Sequence, residues 1–459
     1  MARNYHAVIW TRISGEAEKM GDLIMSDEQI SFTYTNEYLG SGQPGFCLLG
    51  DVSIWGSDTV SYPISERVPV FPRLISLIPG SNPRNLQRRH YLDILRAVNG
   101  KEPPPGIDTE WQLLMMGGHG GIGHVDVFSD DITALKWYES DTSERSKQHL
   151  PESSDNRSQL WRMLKRNVLD ENVDFDSQVI DQVLGPTPSV GGMIPKLLVS
   201  IDVPDRMDKA DSAINFYPPD TDGKINVILK VEPPEYDGML DLESMCLDVH
   251  REAGFDVPDH YRFDSDGLRF LAIERFDRHE GKPVPMESLF SIIATGDHQF
   301  RENADLLLEE LGTVFERLQP IAGLDKSTPE QMYRRILMAL LTGNGDLHLD
   351  NTSILGGVKG CGLSPIYDPA PMRAWPRHDI VSAIPFDPTD YEDHGEYFVS
   401  LGASFGLSSR KVNDCLMHAL DATSDYVGRV KNLKKIPDAQ REQLIEIVQH
   451  ERQLIKRHV

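Results

Sequence analysis

The stretch Gly343-Asn344-Gly345-Asp346-Leu347-His348-Leu349-Asp350-Asn351 carries the densest chemistry in the chain. Asp346 and Asn351, five residues apart on one tight loop, can divide two jobs: a carboxylate that orients a hydroxyl and takes its proton, and an amide that binds a divalent cation. Seventeen residues beyond Asn351, Ile366-Tyr367-Asp368-Pro369 puts another carboxylate at the end of a short apolar run. Mg2+ prefers hard oxygens and usually takes one or two carboxylates plus substrate phosphates, so Asn351 and Asp368 are the expected metal ligands. His348 stands among the catalytic and nucleotide-contacting candidates, mainly as a hydrogen-bonding brace, because Asp346 holds the base position. Gly, Asn and Asp are also ordinary turn residues. The order of base, amide and distal aspartate, between an apolar helix and a strand-like Ser353-Ile354-Leu355, favours phosphoryl transfer over a mere turn.

Phosphoryl transfer needs cations and backbone amides for the phosphates, and these must come from upstream. Lys230 in Ile228-Leu229-Lys230-Val231 sits on a strand-like run, and Glu243 on the following helical segment is its expected partner. Before that strand, Ser189-Val190-Gly191-Gly192-Met193-Ile194-Pro195-Lys196 offers adjacent glycines, which let N–H groups approach phosphate without a clashing Cβ. It is not a Walker A motif. Val190, Gly191, Gly192 and Lys196 are therefore candidate nucleotide contacts. Leu271-Ala272-Ile273-Glu274-Arg275-Phe276-Asp277 is placed where a hinge would meet adenine, which adds Glu274, Arg275 and Phe276.

The elements that must position these groups follow from pattern. Up to Phe128, short strand-like runs broken by Gly and Pro predict a β-rich N-terminal subdomain over 1–128. Residues 129–160 are polar and read as a mobile connection that can carry one helix. Strand-like runs at 197–199, 225–231 and 270–273, around a helix over 240–253 stopped by Gly254, place an α+β N-lobe over 161–285. Beyond Met286, helices dominate, and an all-helical C-lobe over 286–459 is expected.

The chain has 459 residues, enough for two or three packed units. Its 71 acidic against 46 basic residues give a net charge of −25, which repels phosphate backbones and anionic lipid and excludes unassisted whole-surface DNA binding. Cys47, Cys246, Cys361 and Cys415 form no CxxC pair, which gives no zinc spacing and predicts buried thiols in a reducing compartment. The start Met1-Ala2-Arg3-Asn4-Tyr5-His6 lacks a basic segment with an apolar core after it, and no 18-residue apolar run occurs. A cytoplasmic protein without membrane contact is expected.

In this order, Ser189-Val190-Gly191-Gly192 with Lys196, Ile228-Leu229-Lys230, Leu271 to Arg278, Asp346-x-His348-x-x-Asn351 and Tyr367-Asp368 resemble the HipA family, toxin kinases of bacterial toxin-antitoxin pairs. Ala7-Val8-Ile9-Trp10, Gly21-Asp22-Leu23 and Phe32-Thr33-Tyr34 are similar to that family's small N-terminal β-domain. The resemblance implies a two-lobed protein-kinase-like fold and serine/threonine kinase activity with ATP and Mg2+. It implies neutralisation by a HipB-like helix-turn-helix antitoxin, with DNA reached only through that partner. It also implies a protein substrate of the aminoacyl-tRNA synthetase class, glutamyl-tRNA synthetase in particular. Ser189 matches a serine whose autophosphorylation ejects the glycine-rich loop. One position departs: Asp350 stands where the family usually has lysine. Small-molecule phosphotransferases of the aminoglycoside and choline kinase type also use a Gly-Asp-x-His-x-x-Asn loop, and a non-catalytic binding module is the third reading.

Overall fold

The computed structural model describes residues 3–47, 57–81, 85–140, 195–203, 216–217, 219–265, 267–300, 302, 305–376, 378 and 384–459. The chain divides into two compact units. One comprises Met1–Phe46, Asp51–Glu235 and Asp259–Pro285; the other comprises Cys47–Gly50, Tyr236–Pro258 and Met286–Val459.

The first unit opens with strands β1 (Tyr5–Thr11), β2 (Glu18–Met25), β3 (Gln29–Tyr34), β4 (Thr59–Pro63) and β5 (Asp126–Phe128), paired antiparallel in the order β4-β3-β2-β1-β5. In β1, Val8 and Trp10 point to the same face, as the two-residue period of a strand requires, and pack with Phe128 and Ala134. The expectation of strands and turns up to Phe128 is too narrow, because helices occupy Leu86–Asn99 and Ile107–Gly117. The first has a recognisable start and stop: the Asn85 side chain accepts from the Arg88 N–H at 2.9 Å, and Gly100 closes the helix. The polar stretch after Phe128 begins with a helix, Asp131–Glu139, of the kind expected there, and this helix is packed. Its Trp137 and Tyr138 stack into the cluster around Phe128, and Asp131 accepts from the Trp10 indole at 3.0 Å. These aromatic contacts and the Asp131 bond dock a helix that opens an otherwise polar stretch of sequence.

A second antiparallel sheet runs β7-β6-β8-β10-β9, from β6 (Lys196–Ile201), β7 (Phe216–Tyr217), β8 (Ile225–Val231), β9 (His260–Ser265) and β10 (Leu268–Glu274). Leu197, Val199, Val227, Leu229, Val231, Phe263, Phe270 and Ala272 form the apolar core on one face. A short ribbon, β11 (Arg278–His279) with β12 (Lys282–Pro283), follows.

The second unit is built round the helix Thr328–Thr342, whose residues Arg335 to Thr342 are all buried. Helices Met239–Glu252, Leu311–Ala322, His394–Ser404, Ser409–Ala422, Tyr426–Asn432 and Asp438–Arg457 belong to the same unit. It is not all-helical as expected: β13 (Met286–Ser288), β14 (Ser353–Gly357) and β15 (Gly360–Leu363) form a three-stranded sheet. The two-residue turn Val358-Lys359 between paired Gly357 and Gly360 makes the hairpin, and its glycine-rich strands left little apolar pattern to read. All four cysteines are buried free thiols. Among the described residues, no helix is long and apolar enough to cross a membrane.

In the first unit, a buried charge network follows β10. Arg275 donates to both Asp277 carboxylate oxygens, at 2.9 and 2.8 Å, and to the Gly121 carbonyl at 2.7 Å. Arg278 donates to Asp277 Oδ2 and to the carbonyls of Gly120, Gly121 and Gly123. The Gly123 N–H returns a bond to Asp277 Oδ2 at 2.8 Å, and Arg12 after β1 pairs with Asp220 at 2.6 Å beside Arg278. Burial alone would raise the Asp277 pKa, but the guanidinium groups of Arg275 and Arg278 outweigh it and hold the carboxylate well below its ordinary range. The network rivets the glycine-rich turn before β5 to the end of β10.

Asp277→Asn strands these two guanidinium groups without their shared anion, and should cost about 3–5 kcal/mol in denaturant titrations. Asp264→Asn, at a 44 % exposed carboxylate 3.8 Å from Arg262 and 3.9 Å from Arg269, should cost about 0–1 kcal/mol. Equal losses in the two variants would refute the rivet.

Two buried histidines make stability depend on pH. Burial lowers His250 from 6.5 to about 4, against the bond of its Nδ1 to the Cys246 carbonyl at 2.7 Å. Burial, then the Arg73 charge, lowers His124 from 6.5 to about 3. Below 6.5 the unfolded chain binds protons that the folded chain refuses, so stability falls with pH until the folded values are reached. For His250 this is roughly 3 kcal/mol between pH 6.5 and 4. His250→Asn keeps a donor for Cys246 but cannot titrate, so its urea midpoint should drop less over that window. An identical drop in both proteins would exclude His250 as a source.

Candidate functional site

The loop of interest leaves the Thr328–Thr342 helix through Gly343, whose φ of +73° is the left-handed turn that glycine adopts without strain. Leu444 lies where a Cβ on Gly343 would be. The side-chain oxygen of Asn344 accepts from the Asp346 N–H at 2.7 Å, and the Asp346 carbonyl accepts from the His348 N–H at 2.9 Å. Asn351, in the single turn Leu349–Asn351, donates its amide to the Asp346 carbonyl at 2.8 Å and to Asp346 Oδ2 at 3.3 Å. This commits the amide nitrogen, so the amide oxygen is the atom left to face a cation. The Asp346 carboxylate is 43 % exposed, open to an incoming hydroxyl.

His348 braces the loop: its Nδ1 accepts from the Asp350 N–H at 3.2 Å, while Nε2 stands 3.8 Å from Asp346 Oδ1. The Asp350 carbonyl accepts from the Tyr367 hydroxyl at 2.7 Å, which is also 2.7 Å from Ser353 Oγ. Ser288 Oγ donates to Asp350 Oδ1 at 3.3 Å. Asp368 follows with φ +50°, a conformation uncommon outside glycine and worth about 1–3 kcal/mol of strain. The Ala370 N–H donates to its carbonyl at 2.8 Å. Tyr367 thus ties the strained Asp368 turn to the loop that carries Asp346 and Asn351. Among the described residues no group of three or more His, Cys, Asp and Glu forms a metal cage. The Asn351 amide oxygen and the Asp368 carboxylate are hard donors that suit a cation completed by substrate phosphates.

In the first unit, Lys196 and Lys230 are direct cross-strand partners of β6 and β8, on the face opposite the apolar core. Lys230 is only 2 % exposed. The pair concentrates positive charge on that patch of sheet. Leu271 pairs with Lys230 across β10. Glu243, expected beside Lys230, is fully buried in the Met239–Glu252 helix of the second unit. Ser189, Val190, Gly191 and Gly192 lie outside the described residues. Glu274 ends β10 half-buried, its pKa raised by burial and by the Asp259 charge, and Phe276 is half-buried beyond it. Arg275 corrects its expectation: its guanidinium is fully buried and bonded to Asp277 and Gly121, not presented to a ligand.

Sequence reasoning missed the partner of Arg275. The only signal was the run Gly117-Gly118-His119-Gly120-Gly121-Ile122-Gly123, five glycines in seven residues whose carbonyls take the two guanidinium groups. It also missed Tyr367 and Ser288 as supports of Asp350.

Known proteins resemble this chain. A protein from Haemophilus influenzae named "Putative kinase" is 26% identical over 240 residues, 46% of this chain and 69% of its own length. "Putative kinase Y4dM" of Sinorhizobium fredii is 27% identical over 174 residues, 35% of this chain and 38% of that one. The HipA structure from the Shewanella oneidensis MR-1 toxin-antitoxin complex with HipB and operator DNA is similar with a TM-score of 0.59. It has 14% identity and covers 96% of this chain and 95% of that chain, so the likeness is one of mixed α/β fold. The model of the HipA-like C-terminal domain matches residues 188–426, and the chain belongs to that family.

Proposed function

We propose that the chain is an ATP-dependent serine/threonine protein kinase of the toxin type. The reading takes a kinase N-lobe over 161–285, a C-lobe over 286–459 and an appended N-terminal subdomain over 1–128. Its main support is the loop in which Asn351 is bonded to Asp346, because it keeps a half-exposed carboxylate beside an amide oxygen. Asp346 orients the acceptor hydroxyl and takes its proton. Lys196 and Lys230 hold phosphate oxygens, with the Ser189–Gly192 amides, and the backbone at Glu274 and Phe276 meets the base. Asn351 and Asp368 would hold Mg2+, which when bound neutralises charge on the phosphates. Positioning and charge compensation supply most of the rate. A HipB-like antitoxin is the proposed partner, with DNA reached only through it, and an aminoacyl-tRNA synthetase the proposed substrate class.

Incubation with γ-labelled ATP and Mg2+ should transfer phosphate to protein serine. Asp346→Asn should lower the rate by about 10²–10⁴-fold while ATP still binds. Chelation of the metal should stop transfer in the parent. Transfer to a small alcohol instead of protein would favour the aminoglycoside-kinase type of activity, and ATP binding without any transfer would favour a binding module.

The same incubation should yield a phosphopeptide containing Ser189 and a progressive loss of activity, because a phosphate adds about −1.5 to −2 charges beside amides meant for ATP. Active protein with no phosphate at Ser189 would remove this off-switch.

A further inference from the structure

Five residues past Asp368, Arg373 begins no known role, yet it lies under the catalytic loop. Its N–H donates to the Gly343 carbonyl at 3.2 Å. A Cβ on Gly345 would stand 3.1 Å from the Arg373 Cγ and 3.3 Å from its N, tighter than an ordinary contact. Glycine at 345 thus eases the close approach of the loop to Arg373. The Arg373 guanidinium is buried and donates through Nη2 to Glu451 Oε1 at 2.9 Å. Its carbonyl accepts from Gln443 Nε2 at 3.2 Å.

Gln443 and Glu451 stand on the same helix, Asp438–Arg457, two turns apart. That helix also places Leu444 against Gly343. Glu451 is 2 % exposed, and its other oxygen lies 3.3 Å from His394 Nδ1. A buried carboxylate on a terminal helix is costly unless paired, and a leucine would fill such a site for core packing alone. Here the carboxylate faces the guanidinium of a residue whose N–H bonds Gly343 and whose backbone lies beside Gly345.

We propose that Glu451 is a positioning residue for phosphoryl transfer, acting through Arg373 to hold the segment after Asp368 against Gly343 and Gly345. Glu451 touches no reacting atom. The inference rests on the kinase reading, because it concerns the rate at Asp346, but its geometry can be tested without turnover.

The test compares Glu451→Gln and Arg373→Lys with Asp393→Asn in the full chain. Asp393 caps the helix His394–Ser404 and accepts from His458 at 2.9 Å, so its loss loosens the same terminal helix without touching Arg373. Glu451→Gln should lower kcat about 10- to 100-fold with KM for ATP unchanged within about twofold. It should also speed amide hydrogen exchange in 343–351 and 368–373. Arg373→Lys keeps a cation for Glu451 and should lower kcat less than Glu451→Gln does. Asp393→Asn should lower the melting temperature without changing exchange in 343–351. Should Glu451→Gln leave kcat and that exchange as in the parent, or should Asp393→Asn reproduce both effects, the proposal fails. A parent that transfers no phosphate overturns the kinase reading, and the exchange comparison then decides the positioning by itself.

Discussion

Everything at the candidate site depends on one amide: the Asn351 side chain, bonded to both the carbonyl and the carboxylate of Asp346. A half-exposed carboxylate on a free loop would sample many directions and act as an ordinary surface acid. Closing the loop onto Asn351 restricts Asp346 to one region, and the entropy of that restriction has already been lost on folding rather than at the moment of reaction. The buried Asn344, which bonds the Asp346 N–H, and the left-handed Gly343 serve the same restriction from the other side.

The first unit meets a different constraint. Arg12, Arg275, Arg278, Asp220 and Asp277 are drawn together out of water, and charges in such surroundings persist only when each finds a partner. Carbonyls of the turn 120–123 take the hydrogens that two carboxylates cannot. Gly120 and Gly123 take φ values of +69° and +81°, a conformation that glycine adopts without strain, which fits the glycine-rich composition of the turn. Such a network specifies one geometry more than it adds stability, since apolar residues of like volume would often serve as well.

Legibility in the sequence followed the range of the interactions. Asp346, His348 and Asn351 bond within their own loop, so type and spacing along the chain were informative. The strands β6, β8 and β10 were visible because each carries a run of apolar residues over one core. Arg275 was misread because its partner turn lies 154 residues away, and position near a hinge was the only guide to its role. Glu451 was invisible for the same reason, being 78 residues from Arg373 and set in a helix that otherwise reads as surface. The packing of the helix Asp131–Glu139 was hidden by its polar neighbours, and the β14–β15 hairpin by its glycines.

The placement of positive charge connects these observations. With a net charge of −25, the chain as a whole repels a polyphosphate, and binding one requires cations held where the surrounding carboxylates do not cancel them. The guanidinium groups of Arg275 and Arg278 are consumed by Asp277 and Asp220. Lys196 and Lys230 are placed differently, side by side on one face of a sheet, in register, with the second of them almost wholly buried. Like charges directly opposite each other on a sheet carry a cost unless anions stand beside them. An anion brought to that face lowers the cost, whether it comes from the chain's own carboxylates or from phosphate oxygens. Two lysines held in register thus concentrate in one place the positive charge that the chain's overall balance lacks.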